Sequence, residues 1–162
     1  MPQRFQPLPA LAPALANRSK IARGQDGIVV AQHATIMKGL RSPEALDLIV
    51  GQGATIVGDV VAGGRVFLGK DTIVRGAVEA EGDVVVGARG LVQGDVRSRT
   101  TVILQEGSRV AGAIRCDGSV RIVGARVDGP VEAGGDIEVR ADAATRGLKA
   151  GGRIRSLPDP ED

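Results

Sequence analysis

Gly64-Arg65-Val66-Phe67-Leu68-Gly69-Lys70-Asp71 carries the G-x-x-x-x-G-K spacing of loops whose backbone N–H groups cradle phosphates. Asp71 stands where such loops place the Ser or Thr that holds magnesium, and no helical run comes after it to aim an N-terminus at a phosphate. Nucleotide chemistry is therefore not expected here. His33 is the single histidine and has no second imidazole with which to build a metal site or a proton relay. Cys116 is the single cysteine, which excludes an internal disulfide, fits a reduced compartment, and reads as a small core residue. Asn17-Arg18-Ser19 fits a glycosylation acceptor, but nothing suggests secretion, so the match reads as chance. Arg65, Asp83, Asp136 and Arg153 share one column and read as a solvated face of mixed charge, without the close acid pair that glycosidases need. No catalytic, cofactor-binding or metal-ligating residue is expected, and no cofactor.

The elements that carry these residues are set by composition. The 162 residues include 24 Gly and only two aromatics, Phe5 and Phe67, so the core must be filled by 21 Val, 11 Ile and 11 Leu. The β-branched share favours strands, and the length fits one domain. The net charge is +2, from 21 Lys/Arg against 19 Asp/Glu, and aromatics for base stacking are missing, so no nucleic-acid partner is expected. No run reaches the ~18 apolar residues of a membrane span. Residues 1–24 hold Pro2, Pro7, Pro9 and Pro13 and four basic residues with no acid, which reads as a flexible arm. Residues 156–162 form a short acidic tail, and 25–155 are left for the core.

The core repeats with a period of 18. Glycines recur at Gly39, Gly58, Gly76, Gly94, Gly112, Gly129 and Gly147, with one longer step at the Ser42-Pro43-Glu44-Ala45 insertion and one shorter step near Gly124. A small-residue column runs through Ala62, Ala80, Ser98, Cys116, Ala133 and Ala150, and a further glycine series through Gly51, Gly69 and Gly87. Within each side the inward residues fall at i and i+2, as in Val60/Ala62, Val66/Leu68, Thr72/Val74, Val78/Ala80, Val84/Val86, Gly90/Val92, Val96/Ser98 and Val102/Leu104. That alternation is a strand with one buried face. Phe67 falls between two inward residues and faces out. Three corners per repeat predict an all-β, single-domain, three-sided β-solenoid of about seven coils, ~34 Å long at the ~4.8 Å strand spacing, flanked by disordered tails. Gly58, Gly76, Gly94, Gly112, Gly129 and Gly147 are assigned as corner glycines that free the backbone to turn.

The units Val57-Gly58-Asp59-Val60-Val61-Ala62, Arg75-Gly76-Ala77-Val78-Glu79-Ala80, Gln93-Gly94-Asp95-Val96-Arg97-Ser98 and Val127-Asp128-Gly129-Pro130-Val131-Glu132-Ala133 together resemble the bactofilins, bacterial cytoskeletal proteins, over residues 25 to about 155. The resemblance implies a right-handed β-helix that assembles end to end, without nucleotide, into nonpolar filaments. It also implies a cytoplasmic scaffold for cell-shape or cell-wall machinery, attached peripherally to the inner face of the membrane and partnered by cell-wall or polarity proteins. Phe5, Leu8, Leu11 and Leu15 beside Arg4, Arg18 and Lys20 are the membrane-tail candidates.

Physics points the same way. A solenoid end exposes unpaired strand groups, and no amphipathic cap is evident at either end. Ile28, Val30 and Met37 at one end and Leu148, Ile154 and Leu157 at the other are the candidate self-association residues, and Pro158 and Pro160 would blunt the second edge. Two other readings share the repeat. A left-handed hexapeptide-repeat acyltransferase uses 18-residue coils too, but needs a histidine base or a three-histidine metal site that a chain with only His33 lacks. A non-polymerising solenoid adaptor would display a flat side to a partner protein.

Overall fold

The computed structural model describes residues 21–23, 27–140 and 143–157. All 23 elements among them are strands. The first coil reads β2 (Gly27–Val30), β3 (Thr35–Ile36) and β4 (Leu40–Glu44), and the second β5 (Asp47–Val50), β6 (Thr55–Ile56) and β7 (Val60–Gly63). The order then repeats from β8 (Val66–Leu68) to β20 (Ile137–Arg140), β21 (Ala144–Thr145), β22 (Leu148–Ala150) and β23 (Ile154–Leu157). Each third strand pairs in parallel with its counterpart in the next coil, giving one 9-stranded and two 7-stranded sheets around a common core. This is the expected three-sided β-solenoid of seven coils.

Every inward residue assigned from the i, i+2 pattern, from Val60 to Leu104, is buried. The core is a stack of like side chains, such as Val60, Val78, Val96, Ile114 and Val131 in register. Buried hydroxyls in it are bonded locally: Thr72 Oγ1 donates to Gly69 O at 3.0 Å, and Ser98 Oγ to Gly82 O at 2.7 Å. Among the described residues no buried side-chain polar atom lacks a partner.

The repeat is less uniform than its glycines indicate. Leu40 pairs with Val60, so the first coil has 20 residues, with a bulge between Arg41 and Glu44. Buried Ser42 fastens that bulge, donating to Leu46 O at 2.7 Å and accepting from the Gly63 N–H at 3.1 Å. The last coils shorten to 17, with Val131 pairing to Leu148 and Ile137 to Ile154. Strand edges also differ from the sequence boundaries: a strand, β1 (Ile21–Arg23), lies inside the stretch read as a tail, and β23 continues to Leu157.

The corner glycines serve a different purpose from the one assigned. Left-handed φ values recur at His33, Gly53, Asp71, Arg89, Gly107 and Gly124, between 57° and 77°, with one more at Ala45 beside the bulge. The recurring positions form another column. Gly58, Gly76, Gly94, Gly112 and Gly129 are needed because backbone stacks on backbone. A Cβ on Gly94 would lie 2.8 Å from Gly76 O, and from Gly76 to Gly129 each glycine N–H donates to the glycine O of the previous coil at 3.0–3.3 Å. Gly147 departs from this column. The shortened corner brings its O onto the Val131 N–H of the coil before, as Pro130 O meets the Ile114 N–H, and a Cβ on Gly147 would meet nothing within 4 Å.

Candidate functional site

The residues that suggested chemistry are absorbed by the solenoid. Val66 and Leu68 are buried strand residues, and the two glycines of the phosphate-loop spacing pack against backbone: a Cβ on Gly64 would lie 2.8 Å from Leu46 O, and one on Gly69 2.9 Å from Gln52 N. The next element is a two-residue strand, Ile73–Val74, and no helix dipole reaches the segment. His33 is exposed at a turn with its ring over Gly53. Cys116 is buried, its Sγ–H directed at Thr100 O at 2.9 Å and Ser119 O at 3.3 Å, and burial pushes its thiol pKa up, the reverse of a reactive thiolate. Among the described residues no three His, Cys, Asp or Glu side chains gather as a metal site, and no helix is long and apolar enough to cross a membrane.

The outer surface is laced by ion pairs between coils. Arg65 binds Asp47 through Nη2 at 2.9 Å, Arg89 binds Asp71 at 2.8 Å and 3.1 Å, and Asp128 receives Arg109 from the coil before at 2.7 Å and Arg126 from its own coil at 2.9 Å. Burial works to raise the Asp47 carboxyl, but the Arg65 side-chain and backbone N–H bonds and its charge outweigh that and hold it below the ordinary range. Hydrogen bonds from Arg89 lower Asp71 in the same way, and those from Arg109 and then Arg126 lower Asp128. A groove of about 640 Å³ runs along one side, lined by acids and bases that neutralise each other, with Arg99 on Glu81 at 3.0 Å and Arg115 on Glu132 at 3.4 Å. Phe67 faces out as expected, half-buried under the Arg65 guanidinium, 5.2 Å from its ring centroid.

One role was missed from the sequence. The Asp of the G-D-V unit accepts a backbone N–H from the coil above: Asp59 Oδ1 from Ala77 N and Asp95 Oδ1 from Ala113 N, both at 2.8 Å. The column therefore alternates Asp59, Ala77, Asp95, Ala113, which avoids carboxylates on adjacent coils, and then reaches Pro130, which has no N–H to satisfy. The alternation in the sequence was the available signal.

Among the described residues the outermost strand edges are at the ends. Among the described residues β21, β22 and β23 each have a strand neighbour on one side only, so a full row of backbone groups from three sheets faces outward there. Ile154 is 50 % exposed and Leu148 and Ala150 are half-buried at this face. Leu157 ends β23, paired by its backbone to Arg140. At the other end Ile28 (9 % exposed) and Val30 (0 %) point into the core, whereas Met37 is 75 % exposed. At this end β1 lies antiparallel on β2 and becomes the outermost strand of its sheet, while β3 and β4 are the outermost strands of the other two. Phe5, Leu8, Leu11 and Leu15 lie outside the described residues.

A family model described as "Bactofilin: Polymer-forming cytoskeletal" matches residues 66–154, more than half of the chain. The chain belongs to the bactofilin family. No curated protein and no solved structure matches it. The matched segment covers the regular coils and the open end of this bactofilin, up to Ile154, and begins after the irregular first coil.

Proposed function

We propose that this bactofilin is a scaffold subunit that joins end to end into nucleotide-independent, nonpolar filaments, and that these organise cell-shape or cell-wall machinery. The observation that carries the reading is the C-terminal face, where three sheets end together in unpaired edges around half-exposed Ile154. The polymer-forming character of the family supports it. Sedimentation at rising micromolar concentration tests it: large species are expected, an Ile154→Arg variant is expected to reduce them, and a wild-type chain that stays monomeric overturns the reading.

The membrane role rests on Phe5, Leu8, Leu11 and Leu15 beside basic residues, a composition suited to reversible attachment at the inner membrane surface. Flotation with anionic vesicles should separate the full chain from one beginning at Gly24, and equal flotation overturns this part. Cell-wall or polarity proteins are the proposed partners of the assembled filament.

A further inference from the structure

The outward face of the 9-stranded sheet carries a column of five large apolar residues. Val29 pairs with Ile49, Ile49 with Phe67, Phe67 with Val85 and Val85 with Ile103, in register on successive coils. Val29 is 42 % and Ile49 39 % exposed, and Phe67, Val85 and Ile103 are half-buried. Two positions further along the chain from the first four stand Ala31, Gly51, Gly69 and Gly87, so no large side chain borders the column on that side. The column turns charged only at Arg121 and Glu138. The corresponding column on the sheet that holds β7 is charged over the same coils and beyond, with Glu79, Arg97, Arg115 and Glu132 in register. Val29 to Ile103 thus form an apolar stripe four strand steps, ~19 Å, long.

Its size and its place select an occupant. A stripe one side chain wide offers a few hundred Å², short of the ~800 Å² per partner of a stable association between separate molecules. A segment tethered to the same chain meets it at a millimolar effective concentration and needs less. β1 is the tether: Ile21 pairs with Val30 and Ala22 with Val29, so the 20 residues before it enter beside the top of the stripe. Those residues include Phe5, Leu8 and Leu11, three apart, among Pro2, Pro7, Pro9 and Pro13. Prolines at this density favour the polyproline II helix, which turns once in three residues and rises ~3.1 Å per residue. Phe5, Leu8 and Leu11 then fall on one face ~9.3 Å apart, which matches two strand steps of ~9.6 Å. Three anchors at that interval span the stripe, opposite Val29, Phe67 and Ile103. Leu11 lies ten residues before Ile21, ~31 Å of chain, and β1 is ~24 Å from Ile103, so the tether reaches every coil of the stripe.

We propose that the stripe is a docking surface for this chain's own N-terminal segment, which lies along it through Phe5, Leu8 and Leu11. Docking of this kind is independent of filament formation. Where the membrane reading above also holds, stripe and bilayer compete for the same three side chains, and an arm held on the stripe is withheld from the membrane.

The chain has no Trp or Tyr, so Phe5→Trp in the full chain gives a single fluorophore at one anchor. Its emission is expected to be blue-shifted and poorly quenched by acrylamide, to the same degree across a concentration series that starts below the onset of assembly in sedimentation. Adding Phe67→Asp, or separately Ile103→Asp, is expected to shift the emission to that of an exposed indole and to raise the quenching constant severalfold. Arg97→Glu, an outward change on another sheet, is expected to leave both unchanged. An exposed indole in the Phe5→Trp chain overturns the proposal, as does burial that neither stripe variant relieves. Burial that develops only as concentration rises also overturns it, because the occupant is then a second copy. Both stripe substitutions sit on the outer face, and circular dichroism checks that each keeps its β signal. Flotation with anionic vesicles reads the competition: Phe67→Asp is expected to float more than the parent chain, and equal, measurable flotation overturns the competition. Flotation of neither counts against the membrane reading alone, and the fluorescence decides the docking.

Discussion

Gly112 and Gly147 look alike in the sequence and differ in what a methyl group would meet. A Cβ on Gly112 would lie 2.7 Å from Gly94 O, against backbone that cannot yield, whereas one on Gly147 meets nothing within 4 Å. Gly112→Ala is expected to cost about 1–3 kcal/mol in denaturant unfolding, and Gly147→Ala to stay within about 0.5 kcal/mol of the parent. The carboxylates give a second test at this scale. Asp47, Asp71 and Asp128 have lowered pKa values when folded, so in acid the unfolded chain binds more protons at these groups. Their stabilising contribution is full above the ordinary carboxylate pKa of ~4 and is lost as the pH falls through their folded values. A melting temperature that falls on acidification below pH ~4, and falls less in an Asp71→Asn/Asp128→Asn variant, is the expected outcome. Cys116, buried with its thiol raised, should resist thiol reagents in the native state and react on unfolding.

At the level of elements the coils were legible because each is a two-period strand repeated at nearly fixed spacing, and Val60 to Leu104 kept their assigned faces. What escaped depends on neighbours a coil away. The 20-residue first coil is set by how Ser42 holds its bulge against Gly63, and Gly147 changes column because the corner before it lost a residue. The glycine spacing marked the insertion at Ser42, but neither the bond that holds it nor the changed column of Gly147 shows in local spacing. The three residues of β1, Ile21–Arg23, carry too short a pattern to predict a strand, and what orders them is the pairing with β2. The Asp95 bond to the next coil predicts its own test: Asp95→Ala should cost about 1 kcal/mol by leaving Ala113 N–H without its acceptor, while Asp95→Asn keeps most of it. Equal losses would argue against the amide bond as the reason for the alternation.

The described residues form a rod with paired charges along its sides and open strand edges at its ends. Along the sides, acids and bases cancel in pairs and the backbone is bonded coil to coil. At the C-terminal end three sheets stop in unpaired edges, which is the feature a polymer-forming bactofilin would use. The sequence exposed the rod and its family but not β1, three residues long and known only from its pairing with β2. Negative-stain electron microscopy of the full chain, in ordinary salt without nucleotide or metal, tests the central claim most directly. Thin filaments about one solenoid wide, shortened or lost in Ile154→Arg, are the predicted result, and a field of single particles at every concentration would contradict it.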